Sequence, residues 1–110
     1  MHELALTQSL VDTVCERVGA AKVMRVRLAV GKLSGVVPDS MRFCFDVCAA
    51  GTALDGAVLE IDEIGGRTRC RTCGRETDLE DQIALCGCGS ADVELLRGRD
   101  LRVRSVEVVV

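Results

Sequence analysis

Two groups of residues in this 110-residue chain have the types and spacing for metal chemistry. The first lies in RCRTCGRETDLEDQIALCGCGS, where Cys70-x2-Cys73 and Cys86-x-Cys88 are separated by twelve residues. Two thiolate pairs on tight turns, spaced by a length suited to a short hairpin, can converge on one tetrahedral ion at Zn–S distances of about 2.3 Å. Gly74, Gly87 and Gly89 suit turns whose backbone N–H groups point back at sulfur and stabilise thiolate. Four cysteines leave no open coordination position, so the expected ion is structural, and zinc is the soft-ligand divalent metal without redox duty. The second pair is compressed from the commoner two-residue spacing, which a single intervening Gly87 makes sterically feasible. Thiol redox chemistry at Cys70 and Cys73 is the competing reading, but such a pair normally opens a helix in an α/β setting and leaves Cys86 and Cys88 without a role.

The second group is Met1-His2-Glu3, which contains the only histidine of the chain. A free α-amine, the backbone nitrogen of residue 2 and the His2 imidazole close two fused chelate rings, so the donors arrive nearly in plane. That nitrogen set suits Ni(II) or Cu(II), which favour square-planar or tetragonal geometry. Glu3 can add a carboxylate oxygen or its own backbone nitrogen. Reference pKa values of roughly 7.7–8.0 for the amine and 6.5 for histidine mean that acidification releases the ion. The chemistry belongs to a carrier that hands its metal on, and it requires the Met1 amine to stay free. Taken without the rest of the chain, His2 reads first as an exposed helix-entry residue.

Composition narrows the alternatives. The formal charge is −3, and Phe43 and Phe45 are the only aromatic residues. Base stacking on rings is nearly excluded, and no global field draws in phosphate backbones or an anionic membrane, so neither nucleic acid nor membrane is an expected partner. No apolar run approaches the roughly 20 residues of a bilayer span, and no signal-like segment opens the chain, so a cytoplasmic location is expected. Seven cysteines in a reducing compartment point to metal ligands or core residues rather than disulfides. Cys15, Cys44 and Cys48 read as small buried hydrophobes. No nucleophile–base pair or phosphate loop is present, so no enzymatic activity is expected.

The elements that position these groups follow from periodicity. Leu4, Val11, Val14 and Val18 recur at helical spacing, predicting a helix over 4–18 that Gly19 stops. A strand is predicted over 22–30, with Met24, Val26, Leu28 and Val30 on one face and Arg25 and Arg27 on the other. GKLSGVVPDS reads as a loop, and Pro38 suits the first turn of a helix ending at Gly51, with Met41, Phe45 and Cys48 on one face and Cys44 beside it. A strand over 57–64 sets Leu59 and Ile61 against Glu60 and Asp62, and the valine-rich LRVRSVEVVV is a last strand. From Gly65 to Gly98 the chain has too few large apolar residues to order itself unaided. The expected fold is therefore α+β: two helices packed on a roughly three-stranded sheet, with an inserted zinc-ribbon-like lobe built on four cysteines. Residues 1–64 with 99–110 form one domain and 65–98 the other, and the Ile64–Gly65–Gly66 junction is expected to let one lobe turn on the other.

MHELALTQSLVD, GKLSGVVPDSMRFCFD, CRTCG and LCGCGSADVELLRG lie in one order across nearly the whole chain. Together they resemble the HypA/HybF family of nickel metallochaperones. The resemblance implies delivery of nickel to the large subunit of NiFe hydrogenase during maturation, in concert with an accessory nickel-handling GTPase. It implies Ni(II) as transient cargo at Met1, His2 and Glu3, and structural Zn(II) on Cys70, Cys73, Cys86 and Cys88. In some members a carboxylate in the loop before the second helix is a further nickel ligand or neighbour, and Asp39 occupies that position; it equally suits the positive end of the helix dipole. The departure from the family pattern is Gly87, where many members have two residues between the last cysteines. A monomer or weak homodimer is expected, since the long terminal strand can pair within the chain or with another copy. The rival reading is a zinc-ribbon adaptor that grips nucleic acid or protein through Arg67, Arg69, Arg71 and Arg75, which read otherwise as a solvated rim.

Overall fold

The computed structural model describes residues 3–79 and 84–109. Its elements run α1 (Glu3–Val18), β1 (Val23–Gly31), α2 (Pro38–Ala49), β2 (Val58–Ile64), β3 (Gly66–Cys70), β4 (Glu76–Leu79), β5 (Val93–Arg97) and β6 (Leu101–Val108). They form an α+β fold with two three-stranded sheets, ordered β2-β1-β6 and β4-β3-β5. The molecule is elongated: its radius of gyration is 17.1 Å, against about 13 Å for a compact chain of this length.

The first sheet holds the apolar core. The central β1 runs parallel to β2 and antiparallel to β6. Val26, Leu28 and Val30 point to the same side and meet Val11 and Val14 of α1, Met41 and Phe45 of α2, and Leu54. On β2, Leu59 and Ile61 pack against this core, while Glu60 pairs with Arg25 and Arg27 and Asp62 with Arg104 on the helix-free face. Pro38 opens α2, where its missing N–H costs nothing. Gly19 adopts φ 62° just past α1 and donates its N–H to the Cys15 carbonyl. Only glycine takes that left-handed conformation without strain.

Two side chains depart from the sequence expectation. Met24 is exposed and Val23 is buried in its place. The register against β6 jumps from Val23↔Val108 to Arg25↔Glu107, so β1 carries one extra residue there and the inward phase shifts. On α1 the buried stripe is Glu3, Thr7, Leu10, Val11 and Val14, and Leu4 is exposed. At about 100° per residue Leu4 falls on the flank of that stripe. Its place is taken by a polar pair: the fully buried Thr7 hydroxyl donates to the Glu3 carbonyl at 2.6 Å.

The inserted segment has more regular structure than its composition foretold. Instead of lying between the cysteine pairs, the hairpin is folded about the first pair, β3 pairing antiparallel with β4 on one side and β5 on the other. At the junction between the sheets, Leu33 N–H donates to the Gly98 carbonyl and Lys32 N–H to the Ile64 carbonyl, both at 2.8 Å. A side chain at Gly31 would place Cβ 2.1 Å from the Gly98 oxygen, and one at Gly66 would meet Leu33 Cδ1 at 2.6 Å. Gly65 alone in the Ile64–Gly65–Gly66 stretch has open space around it, so the junction is packed on one side and unencumbered on the other.

Candidate metal centres

The four cysteines converge. Cys70 ends β3 and Cys73 sits in the turn that leads to β4, while Cys86 and Cys88 lie in the turn before β5. The first turn is closed by Gly74 N–H on the Cys70 carbonyl and Cys70 N–H on the Arg75 carbonyl, each at 2.8 Å. The second is closed by Gly89 N–H on the Cys86 carbonyl at 2.9 Å, with Gly89 at φ 93°. All four Sγ atoms fall within 4.8 Å of one another. A regular tetrahedron with metal–sulfur distances of about 2.3 Å has S···S edges of about 3.8 Å. The Cys70–Cys88 and Cys73–Cys86 separations are 3.7 and 3.6 Å, so the donor set has the size of a single four-coordinate ion. The one-residue spacing of the second pair therefore costs the cluster none of its convergence. A side chain at residue 87 would meet only the mobile end of Arg75, Nη1 at 3.3 Å, so packing alone does not demand glycine there.

The electrostatics favour thiolate at Cys70. The Cys73 N–H donates to Cys70 Sγ at 3.4 Å. That bond is the largest influence on the Cys70 thiol, and with the Thr72 N–H and the thiols of Cys73 and Cys88 it overcomes desolvation and lowers the pKa to about 6. Hydrogen bonds to the charged form, rather than a nearby cation, prepare this sulfur for a metal.

Met1 and His2 lie outside the described residues, so the proposed nitrogen chelate is seen only from its third member onward. Glu3 begins α1 with its carboxylate turned inward, and Oε2 accepts from Val37 N–H at 3.4 Å. Val37 is the residue just before α2, so this contact ties the start of α1 to the start of α2. Asp39 in the first turn of α2 is almost fully exposed and pairs with Arg42 at 2.9 Å. Glu3 and Asp39 line the same shallow groove of about 490 Å³, together with Leu4, Ser40, Phe43 and Cys44. Cys44 departs from the sequence expectation: it read as a small buried hydrophobe because free cysteine is commonly buried, whereas it is half-buried and lines this groove. Cys48 is buried, and burial, followed by Cys44 and Asp12, raises its pKa. Cys15 is half-buried.

Three arginines of the second lobe are engaged. Arg67 pairs with Glu76 and Asp78, Arg69 with Glu76 and Glu94, and Arg71 with Asp92. The hydrogen bonds to Asp78 and Glu76 raise the Arg67 pKa further. These are cross-strand pairs on a solvated face, a poor surface for gripping phosphates. Among the described residues no helix is long and apolar enough to cross a membrane.

The chain is similar to known proteins over nearly its whole length. A family model described as "Hydrogenase/urease nickel incorporation, metallochaperone, hypA" matches residues 1–108. The chain is 50% identical over 108 residues to a protein of Trichormus variabilis named "Hydrogenase maturation factor HypA", covering 98% of this chain and 96% of that one. It is 48% identical over 108 residues to the Nostoc sp. protein of the same name, with the same coverage. It is 42% identical over 110 residues to the one from Geobacter metallireducens, covering 98% of this chain and 99% of that one. In fold it is similar to the solution structure of the Ni metallochaperone HypA from Helicobacter pylori, with TM-score 0.68 and 21% identity over 99% of this chain and 98% of that one. From a family model matched along nearly its whole length and relatives approaching half identity, the chain belongs to the HypA family of nickel-incorporation metallochaperones.

Proposed function

We propose that the protein is a non-enzymatic nickel metallochaperone that delivers Ni(II) for maturation of the NiFe hydrogenase large subunit, working in the cytoplasm with an accessory nickel-handling GTPase. The observation that carries this reading is the family match across residues 1–108. The Met1 amine and the His2 imidazole are the principal donors, with Glu3 completing the set. The inward turn of the Glu3 carboxylate onto Val37 N–H supports a second duty for this residue, holding the chelating terminus against the start of α2. Asp39, on the same groove, is the exposed carboxylate available to the cargo once it leaves Arg42. A terminal, solvent-facing chelate exchanges its ion readily, which suits a carrier.

Zinc is the proposed ion of Cys70, Cys73, Cys86 and Cys88, since an all-thiolate tetrahedral set suits a redox-inert soft-ligand metal. When bound it supplies structural cross-linking of two turns, and the chain's own contribution is the Cys73 N–H that stabilises the Cys70 thiolate. Two domains are proposed, 1–64 with 99–110 around the nickel segment and 65–98 around the cysteines, in a monomer or weak homodimer. The adaptor reading is disfavoured because Arg67, Arg69 and Arg71 are held by acidic partners.

The test is nickel titration of three proteins: the native chain, a chain lengthened by a few residues before Met1, and His2→Ala. Both changes are expected to abolish tight binding while the four-cysteine site keeps its metal. Equal nickel affinity in all three sinks the N-terminal site.

A further inference from the structure

A cleft of about 480 Å³ lies beside the helix-free face of the first sheet, where the end of β5 comes back against β6. Its walls carry Arg97 from one sheet and Arg102 and Arg104 from the other, with the Asp100 carboxylate also in the lining, over an apolar floor that includes Ala29, Ile64 and Val103. This is an unusual concentration of guanidinium groups in a chain of formal charge −3. Several arginines on the two sheets are taken up by acidic side chains: Arg27 meets Glu60 at 3.1 Å and Arg67 meets Asp78 at 2.7 Å. In the cleft the pairing is incomplete. Arg97 has no carboxylate partner among the described residues. Arg102 reaches Asp100 only at 3.5 Å with both side chains about three-quarters exposed, and Arg104 reaches Asp62 at 3.3 Å. Exposed pairs of this kind are worth little and yield readily to a better anion.

We propose that this cleft binds a dianionic phosphate group carried on a small molecule, with Arg97 and Arg102 as its principal ligands and Arg104 on the far side. Guanidinium forks match phosphate oxygens in pairs, and three of them approaching from two strands of different sheets suit a tetrahedral dianion better than a planar carboxylate. The volume and the mixed apolar and cationic lining are those of a small-molecule site. Both Phe43 and Phe45 lie on α2, across the sheet, so no ring is available to stack on a base and the phosphate itself is what the cleft reads. A ligand held by Arg97 and Arg102 bridges the two sheets and fixes one against the other. The site is separate from the Glu3–Asp39 groove and independent of the nickel reading.

The test is a titration of the full, metal-loaded chain with inorganic phosphate, adenosine 5′-monophosphate, adenosine and glutarate, followed by amide NMR shifts at low ionic strength. Saturable shifts centred on Arg97, Gly98 and Arg102 with both phosphates, and none with adenosine, are expected. Equal affinity for the two phosphates assigns the site to phosphate in any small carrier, and tighter nucleotide binding assigns it to nucleotides; either supports the proposal. Arg97→Gln and Arg102→Gln are each expected to weaken binding about tenfold, the loss of one charge-assisted contact. Arg27→Gln, on the same sheet but engaged with Glu60, is expected to leave it unchanged. Absence of saturation, equal weakening by all three substitutions, or glutarate binding as tightly as phosphate overturns the proposal. The exposed positions of Arg97 and Arg102 keep the fold out of the result, and an unchanged spectrum of the free variants verifies this.

Discussion

The sheet β2-β1-β6 shuts Val26, Leu28 and Val30 away from water beneath α1 and α2, with Phe45 and Met41 as the largest plugs. The sheet β4-β3-β5 has the same number of strands, yet among its described residues no Leu, Ile or Val is buried, and its interior is Gly66, Thr68 and Cys70. The first is held by apolar surface removed from solvent. The second has cross-strand ion pairs of small individual worth and a cluster of four thiols at metal-site dimensions. One chain thus uses two means of cohesion.

Removing the metal breaks the comparison most severely. A strong chelator is expected to cost the second lobe on the order of 10 kcal/mol, the scale of a structural zinc site. Hydrogen exchange read residue by residue is the measurement: protection at Thr68 and Arg69 should vanish while Val26 and Leu28 keep theirs. Loss of protection in both sheets together would mean that the lobes are one cooperative unit.

Phe45→Ala attacks the other side. The side chain is 1% exposed, and its truncation in a packed core costs about 3–5 kcal/mol. Denaturant unfolding should show that loss in the helical signal, with chelator competition at the cysteines unaltered. A weakened metal site in this variant would contradict the separation.

Gly31→Ala addresses the seam between the sheets. Its Cβ would sit 2.1 Å from the Gly98 carbonyl oxygen, which is backbone and cannot swing aside. Overpacking of this kind costs about 1–3 kcal/mol, and small-angle scattering should show the 17.1 Å radius of gyration change as the lobes move apart. An unchanged radius with full stability would show that the seam yields freely.

The smallest effect is the pH dependence of the second lobe. The Cys70 pKa falls from 9.0 unfolded to about 6 folded. A depressed pKa favours folding in full above the unfolded value, and that contribution is lost as the pH falls through about 6. Protons and metal compete for the same sulfur, so the fall of metal affinity with decreasing pH, followed by competition with a colorimetric chelator, should steepen below about 6, where Cys70 begins to take up its proton, while the first sheet is unaffected. An unchanged slope across that value would place the controlling proton elsewhere.

Much of the site was legible in the sequence because its chemistry is local. Cys-x2-Cys and Cys-x-Cys place sulfurs on turns whose reach is set by two or three residues, and glycines mark the turns. The alternation of Leu59 and Ile61 with Glu60 and Asp62 predicted their faces, and Pro38 marked the start of α2. Met24 was misplaced because a bulge is a property of two strands: only the offset between β1 and β6 puts the extra residue there. Leu4 was misplaced because its helix rotates to bring Glu3 and Thr7 inward, an orientation set by the contact with Val37 thirty-four residues away.

The sequence by itself determined the four-cysteine cluster and the two helices at apolar spacing, since donor type and short-range geometry are written in consecutive residues. Tertiary structure alone decided that the first cysteine pair is a hairpin turn, that Glu3 and Asp39 share a groove, and that Arg97 faces Arg102 and Arg104 across a cleft. These are relations between segments far apart in the chain, fixed by strand register and by close backbone contact at Gly31, Gly66 and Gly98, and no local pattern encodes them.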